Sequence, residues 1–303
     1  MVREAISGGD FRTLRAVAIE ESRVMAEIIG ETENYHRVLK AAESSPTKWS
    51  AALFLFEARS LLSEEKRGLL KATLISLLIQ LSSQISARGI RPTETFLTSF
   101  EPSLEEIEVE ETIENALGKK KVEFEDIVMV GKRPKKRSFM LMLDISNSMK
   151  YEKMLLAVLA VGVFALKLQG ERYSIVTFSK DAEIIKPMDW EMPVSALLDK
   201  MLDLKTGGTT NLRKGLEVGL DELSKNVAHE KLAVLVTDGW VTEGHDPLEV
   251  AEKYPKLHVL QVPLGMGGGD SEMCNNLVRK GRGKCVYVDE FECLPRAIIE
   301  ILK

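Results

Sequence analysis

Cysteine is scarce: three in 303 residues, Cys274, Cys285 and Cys293, all in one region. An odd, crowded set implies no disulfide framework, the spacings match no zinc pattern, and small buried hydrophobes is the reading that remains. Histidine is nearly as rare, and His36, His229, His245 and His258 do not cluster; His258 begins an apolar run and reads as structural. Long apolar runs are missing too. Leu69–Leu81 and Met154–Leu166 are 13 residues each, the first holding Lys71, against the ~18–20 a membrane span needs. The opening MVREAISGGDF has no apolar core of the signal-peptide kind. Nor is there an excess of positive charge: a formal net charge of -5 argues against general affinity for nucleic acid or anionic membrane. G-x-S-x-G, G-x-x-x-x-G-K-[ST] and H-E-x-x-H are all absent. The expected compartment is the cytoplasm.

What is present is an ordinary globular composition, 45% hydrophobic and 29% charged, in a chain long enough for two domains. Up to residue 118 the pattern is helical. Asp10 can cap a helix running toward Ala42, interrupted near Gly30. Ser45-Pro46 opens another through Leu62, and Ser63 a third that stops at Gly89. Pro102-Ser103-Leu104-Glu105-Glu106 reads as a capping box for an acidic helix to Leu117. Residues 119–137 come next as a linker: Lys119–Lys121, a strand-like Val122–Val130, and the basic stretch Gly131–Arg137. Solvated linker is the reading preferred over a nucleic-acid patch, given the acidic balance.

From residue 138 strands and helices alternate. Strands are expected at Phe139–Leu143, Tyr173–Phe178, Ala182–Ile185 (an edge), Leu232–Val236, His258–Val262 and Lys284–Val288. Helices fall between them, the first over Tyr151–Leu168. That alternation predicts an α/β fold, a mostly parallel sheet covered on both faces. In such sheets ligands bind beyond the carboxyl ends of the strands. Asp144, Ser146 and Ser148 lie just past one such end, and Asp238 in AVLVTDGW just past another. Between them, KTGGTTNLRKGL can bring Thr209 or Thr210 inward. Two carboxylates with hydroxyls, and no histidine or thiol, suit a hard cation: Mg²⁺ or Mn²⁺ before Ca²⁺. The run Gly265–Asp270 lacks dinucleotide spacing and reads as a loop.

The order D-x-S-x-S, then G-G-T-x-N-L-x-x-G-L, then an apolar strand ending T-D-G, resembles the von Willebrand factor A domain family. The likeness covers roughly residues 137–303, and HVLQVPLGMG with NNLVRKGRGKCVYVDEFECL resembles that family's last strands and helix. It implies a VWA-type doubly wound sheet and a metal-ion-dependent adhesion site (MIDAS). Carried over, its ligands would be Asp144, Ser146, Ser148 and the distal Asp238. The family usually has one residue between Gly-Gly and Asn, where this chain has two; anchoring on Asn211-Leu212 and Gly215-Leu216 selects Thr210. Asn147 stands where the family often has Gly. The order of a helical segment and then this module also resembles the CoxE-like proteins that accompany MoxR-type AAA+ ATPases. That implies an adaptor which presents a client for complex or metal-centre maturation, with magnesium-chelatase-like accessory subunits a neighbouring version.

The leading expectation is therefore a binding module whose metal captures a partner's Asp or Glu. Its rivals are a metal-dependent hydrolase using Asp238 or Glu243 as base, and a structural subunit with an empty site. The site is expected at the sheet's edge, outside the core. Helix Tyr151–Leu168 shows no polar stripe between Met154 and Leu166, so its outer face must also be covered. The N-terminal helices or the linker are the expected cover.

Overall fold

A computed structural model of the chain describes residues 2–20, 29–30, 32–86, 93–104, 106–134, 137–226, 228, 230–263 and 268–302. They form two compact units, one made of Met1–Arg88 with Arg137–Lys303, the other of Gly89–Lys136.

In the larger unit the N-terminal segment is helical, with helices Val2–Gly8, Phe11–Glu20, Thr32–Ser44, Lys48–Ala58 and Glu64–Ser86. Asp10 caps the second, accepting from the Thr13 backbone N–H at 3.2 Å and its hydroxyl at 2.6 Å. Gly89 and the residues just after Glu20 lie outside the described residues. Helix Glu64–Ser86 exceeds the 13-residue run on which the exclusion of a span rested. By length and composition alone it could cross a membrane, yet 44% of that stretch is buried against the rest of the protein.

The smaller unit departs from the expected helix and linker. Strands β1 (Thr93–Ser99), β2 (Glu106–Glu108) and β3 (Val128–Pro134) make an antiparallel sheet with β3 central. Ser103 lies in a turn, and the helix begins only at Val109, running to Ala116. The boundary expected at 118 thus falls inside this unit, and the strand-like stretch expected over Val122–Val130 ends in β3, which runs on through the basic residues to Pro134. β1 reads TETFLTS, a polar alternation that a solvated face tolerates but that shows little apolar signal. Exposed large hydrophobics concentrate here, among them Leu97, Ile107, Ile113, Leu117 and Phe124.

The larger unit's sheet has six strands: β4 (Arg137–Asp144), β5 (Arg172–Phe178), β6 (Ala182–Lys186), β7 (Glu230–Thr237), β8 (Leu257–Gln261) and β9 (Cys285–Tyr287). Their order is β6-β5-β4-β7-β8-β9, parallel throughout except for the antiparallel edge strand β6. All eight residues of β4 are buried, as a central parallel strand covered on both faces requires. The chain builds outward from β4 to β6, then returns to the other side of β4 to begin β7. The switch point lies between β4 and β7, where Asp144 and Asp238 stand.

Helix Glu152–Lys167 is buried continuously from Lys153 to Ala165. Two layers account for it. Its inner face meets the sheet, and its outer face meets helices Glu64–Ser86 and Val194–Asp203. A Cβ at Gly162 would fall 2.5 Å from Ser82 Oγ, so the two helices approach as closely as glycine permits. Trp49 stacks on Phe291 with ring centroids 4.7 Å apart. The N-terminal helices are the cover that the apolar helix demanded.

Candidate functional site

Asp144 ends β4, and it is not at a solvent edge as expected: it is 0% exposed. One carboxylate oxygen accepts the Ser146 backbone N–H at 2.8 Å, closing an Asx turn. The other accepts the Thr237 hydroxyl at 2.7 Å. Burial pushes the carboxyl up to about 6; hydrogen bonds from Ser146 and Thr237 oppose the rise, and neighbouring Asp238 adds to it. Ser146 is buried and Ser148 exposed, so the turn climbs from core to surface. Their hydroxyl oxygens stand 3.1 Å apart.

The glycine loop is laced to this turn through the backbone, and the segment after β7 to the loop. Gly207 N–H donates to the Ile145 carbonyl at 2.8 Å and Asn147 N–H to the Gly208 carbonyl at 3.2 Å. Gly208, at φ +79°, lets the glycine loop turn toward the β4 end. The two threonines of the loop differ in burial and in their bonds. Thr210 is 3% exposed, its N–H donating to the Thr242 hydroxyl at 2.7 Å and its carbonyl accepting from Thr242 and Glu243. Thr209 is exposed, its hydroxyl donating to the Glu243 carboxylate.

Asp238 comes directly after β7 and is 0% exposed. Gly239 after it takes φ +90°, and a Cβ there would run into the Asp270 carbonyl and Cys274 Sγ, which is why the T-D-G turn needs glycine. One Asp238 oxygen accepts the Trp240 N–H at 3.3 Å, and the other holds Lys153 Nζ at 2.8 Å. Two participants escaped the sequence reading. Thr237 was visible only as a letter of T-D-G. Lys153 hid at the head of an apolar helix, though a lysine in a first turn opposes the helix dipole and that clash was a signal.

The two bases proposed for hydrolysis are both engaged, Asp238 with an ammonium and Glu243 with a hydroxyl. The cysteines are free thiols, Cys274 buried and the others half-buried. His258 is buried in β8, away from the site. Among the described residues no three His, Cys, Asp or Glu side chains gather as a metal cluster. Any cation here would rely on hydroxyl oxygens beside the two carboxylates. The Ser146 and Ser148 hydroxyls share a hydrogen bond at 3.1 Å, a separation compatible with one, since adjacent oxygens in an octahedral shell with bonds near 2.1 Å lie about 3.0 Å apart.

The geometry and the comparisons meet at this point. The family model for the von Willebrand factor type A domain matches residues 139–298, and the chain belongs to that family. Its domains are generally adhesion or interaction modules and commonly bind a divalent metal at the MIDAS. No curated protein matches the chain. Among solved structures, an aerotolerance-related membrane protein from Bacteroides fragilis is 17% identical with a TM-score of 0.48, covering 55% of this chain and 98% of its own. A von Willebrand factor type A protein from Catenulispora acidiphila is 13% identical with a TM-score of 0.46, covering 58% and 44%. The proximal thread matrix protein 1 of the mussel byssus, with a zinc-occupied MIDAS motif, is 18% identical with a TM-score of 0.44, covering 55% and 48%.

Proposed function

We propose that the chain is a metal-dependent protein-binding adaptor of the cytoplasm. Asp144, Ser146, Ser148, Thr210 and Asp238 would hold a divalent cation, Mg²⁺ or Mn²⁺ before Ca²⁺. The observation that carries the reading is the pair of hydroxyls 3.1 Å apart on a turn pinned by buried Asp144, at the sheet's switch point. When bound, the cation supplies a Lewis-acidic position for a carboxylate oxygen from a partner's Asp or Glu. The protein's own part is to orient the oxygens: Thr237 and the Ser146 N–H fix Asp144, and the glycine loop brings Thr210 in. The preceding helical segment supports the narrower CoxE-like reading, in which the partner is a MoxR-type AAA+ ATPase or its client.

Pull-down from native lysate tests this in three arms: Mg²⁺, EDTA, and Asp144→Ala with Mg²⁺. The expected result is a partner retained only in the first. Losing a buried charge-assisted contact costs about 2–5 kcal/mol, roughly 30- to 4,000-fold in affinity, mostly through the off-rate. Calorimetry with Mn²⁺ should show no binding to Asp144→Ala. Equal affinity in both proteins, or a partner retained in all three arms, would sink the assignment.

A further inference from the structure

Of the thirteen buried residues in helix Glu152–Lys167, Lys153 is the one that carries a charge. Its position is costly twice over. An ammonium in the first turn meets the positive end of the helix dipole, and at 7% exposure it has lost most of its water. What offsets this is Asp238 at 2.8 Å, with the Gly268 carbonyl at 3.4 Å as a second acceptor. Asp238 is also the carboxylate on which the distal side of the cation site depends.

Formal charges set the balance of the site. Asp144 and Asp238 contribute two negative charges and Lys153 one positive. A divalent cation would bring the site to a net +1 in surroundings where charges are weakly screened. We propose that Lys153 is a tethered counter-ion that competes with the divalent cation for Asp238, so that loading requires the ammonium to shift toward the Gly268 carbonyl. This rests on the metal-binding reading above and adds a consequence. The surplus positive charge is neutralised by the incoming partner carboxylate, so cation and partner load together, and the cation alone binds weakly.

Calorimetry and thermal denaturation of the full chain with Mn²⁺ alone test it, on wild type, Lys153→Met and Lys153→Gln. Both variants are expected to bind Mn²⁺ at least about tenfold more tightly than wild type. Both should melt below wild type without the ion and regain stability as Mn²⁺ is added, because the cation replaces the lost ammonium. Adding acetate should tighten Mn²⁺ binding to wild type more than to either variant. Equal or weaker Mn²⁺ affinity in the variants overturns the role of Lys153 while leaving the metal site standing. Absence of binding in all three proteins overturns both, and a variant that stays unfolded at saturating Mn²⁺ counts against the replacement of ammonium by cation.

Discussion

His258 shows how one buried group sets a pH dependence. Its ring is 1% exposed within β8; Nδ1 accepts the Lys284 N–H at 3.1 Å, and Nε2 has no partner among the described residues. Burial first, then the charges of Lys256 and Lys284, push its pKa down to about 4. The unfolded chain takes the proton near 6.5, so the stability this group confers is fully present above that pH. It is lost as pH falls from about 6.5 to about 4. Asp144 works in the opposite sense. Held up at about 6, it keeps a proton in the metal-free fold that the unfolded chain has released, so its contribution shrinks as pH rises from about 4 to 6. The two slopes partly cancel, and a difference measurement is needed to separate them. The expected outcome is a wild-type advantage over His258→Gln, whose amide oxygen can still accept from Lys284, that is constant above about pH 7 and shrinks toward pH 4. Urea denaturation at pH 7.5, 5.5 and 4.5 reads it, and a difference that ignores pH would show that His258 titrates as if exposed. The ring's inward position was inferable from its place in an apolar run. The Lys153–Asp238 pair was not, because the two residues are 85 apart in sequence and a lone lysine carries no spacing to read.

At the scale of elements, the contact of helix Glu64–Ser86 with helix Glu152–Lys167 turns on Gly162 and Ser82. Alanine is intrinsically better than glycine in a helix by about 1 kcal/mol, yet a Cβ at 162 would sit 2.5 Å from Ser82 Oγ. Overpacking costs about 1–3 kcal/mol, so Gly162→Ala should destabilise by about 1 kcal/mol net. Ser82 Oγ is buried without a hydrogen-bond partner among the described residues, so Ser82→Ala removes the obstacle cheaply. In that background Gly162→Ala should become neutral or stabilising. A double-mutant cycle by chemical denaturation measures the coupling, and strict additivity would show that the helices do not meet there. The alternation of β4–β9 with helices was legible because each buried strand is an apolar run between turn residues. The region 93–134 was legible only in part, in the strand-like Val122–Val130 that overlaps β3. β1 is mostly polar and β2 has only three residues, and Glu106, counted as the last residue of a capping box, instead opens β2 and pairs with Val130. Pairing with distant β3 overrode the local signal, as happens where strand propensity depends on neighbours more than on sequence.

The larger unit is assembled from two stretches of sequence, one before and one after the smaller unit, so its core is completed only when residues 1–88 cover the sheet's outer helix. Ion pairs accompany that cover: Arg15 with Glu57 at 3.0 Å and Glu152 at 3.5 Å, and Lys71 with Asp199 and Asp203 at 2.7 Å each. Partly exposed pairs of this kind contribute about 0–1 kcal/mol each. Apolar burial is the larger effect, with about 1.5–3 kcal/mol for each large side chain removed from water. Leu70, Leu74, Leu77, Leu78 and Leu81 line the inner face of helix Glu64–Ser86, enough to decide whether the remainder stays soluble. Residues 135–303 alone should therefore keep the sheet but expose the outer face of helix Glu152–Lys167 and the Phe291 ring that Trp49 now covers. Such a truncated chain is expected to self-associate, bind more hydrophobic dye and unfold at lower denaturant than the full chain. Adding residues 1–88 as a separate polypeptide should reverse part of the dye binding. Sizing chromatography, dye fluorescence and urea midpoints check the three effects. A monomeric fragment of undiminished midpoint and no added dye signal would mean that the N-terminal helices are a passenger and that residues 138–303 fold on their own.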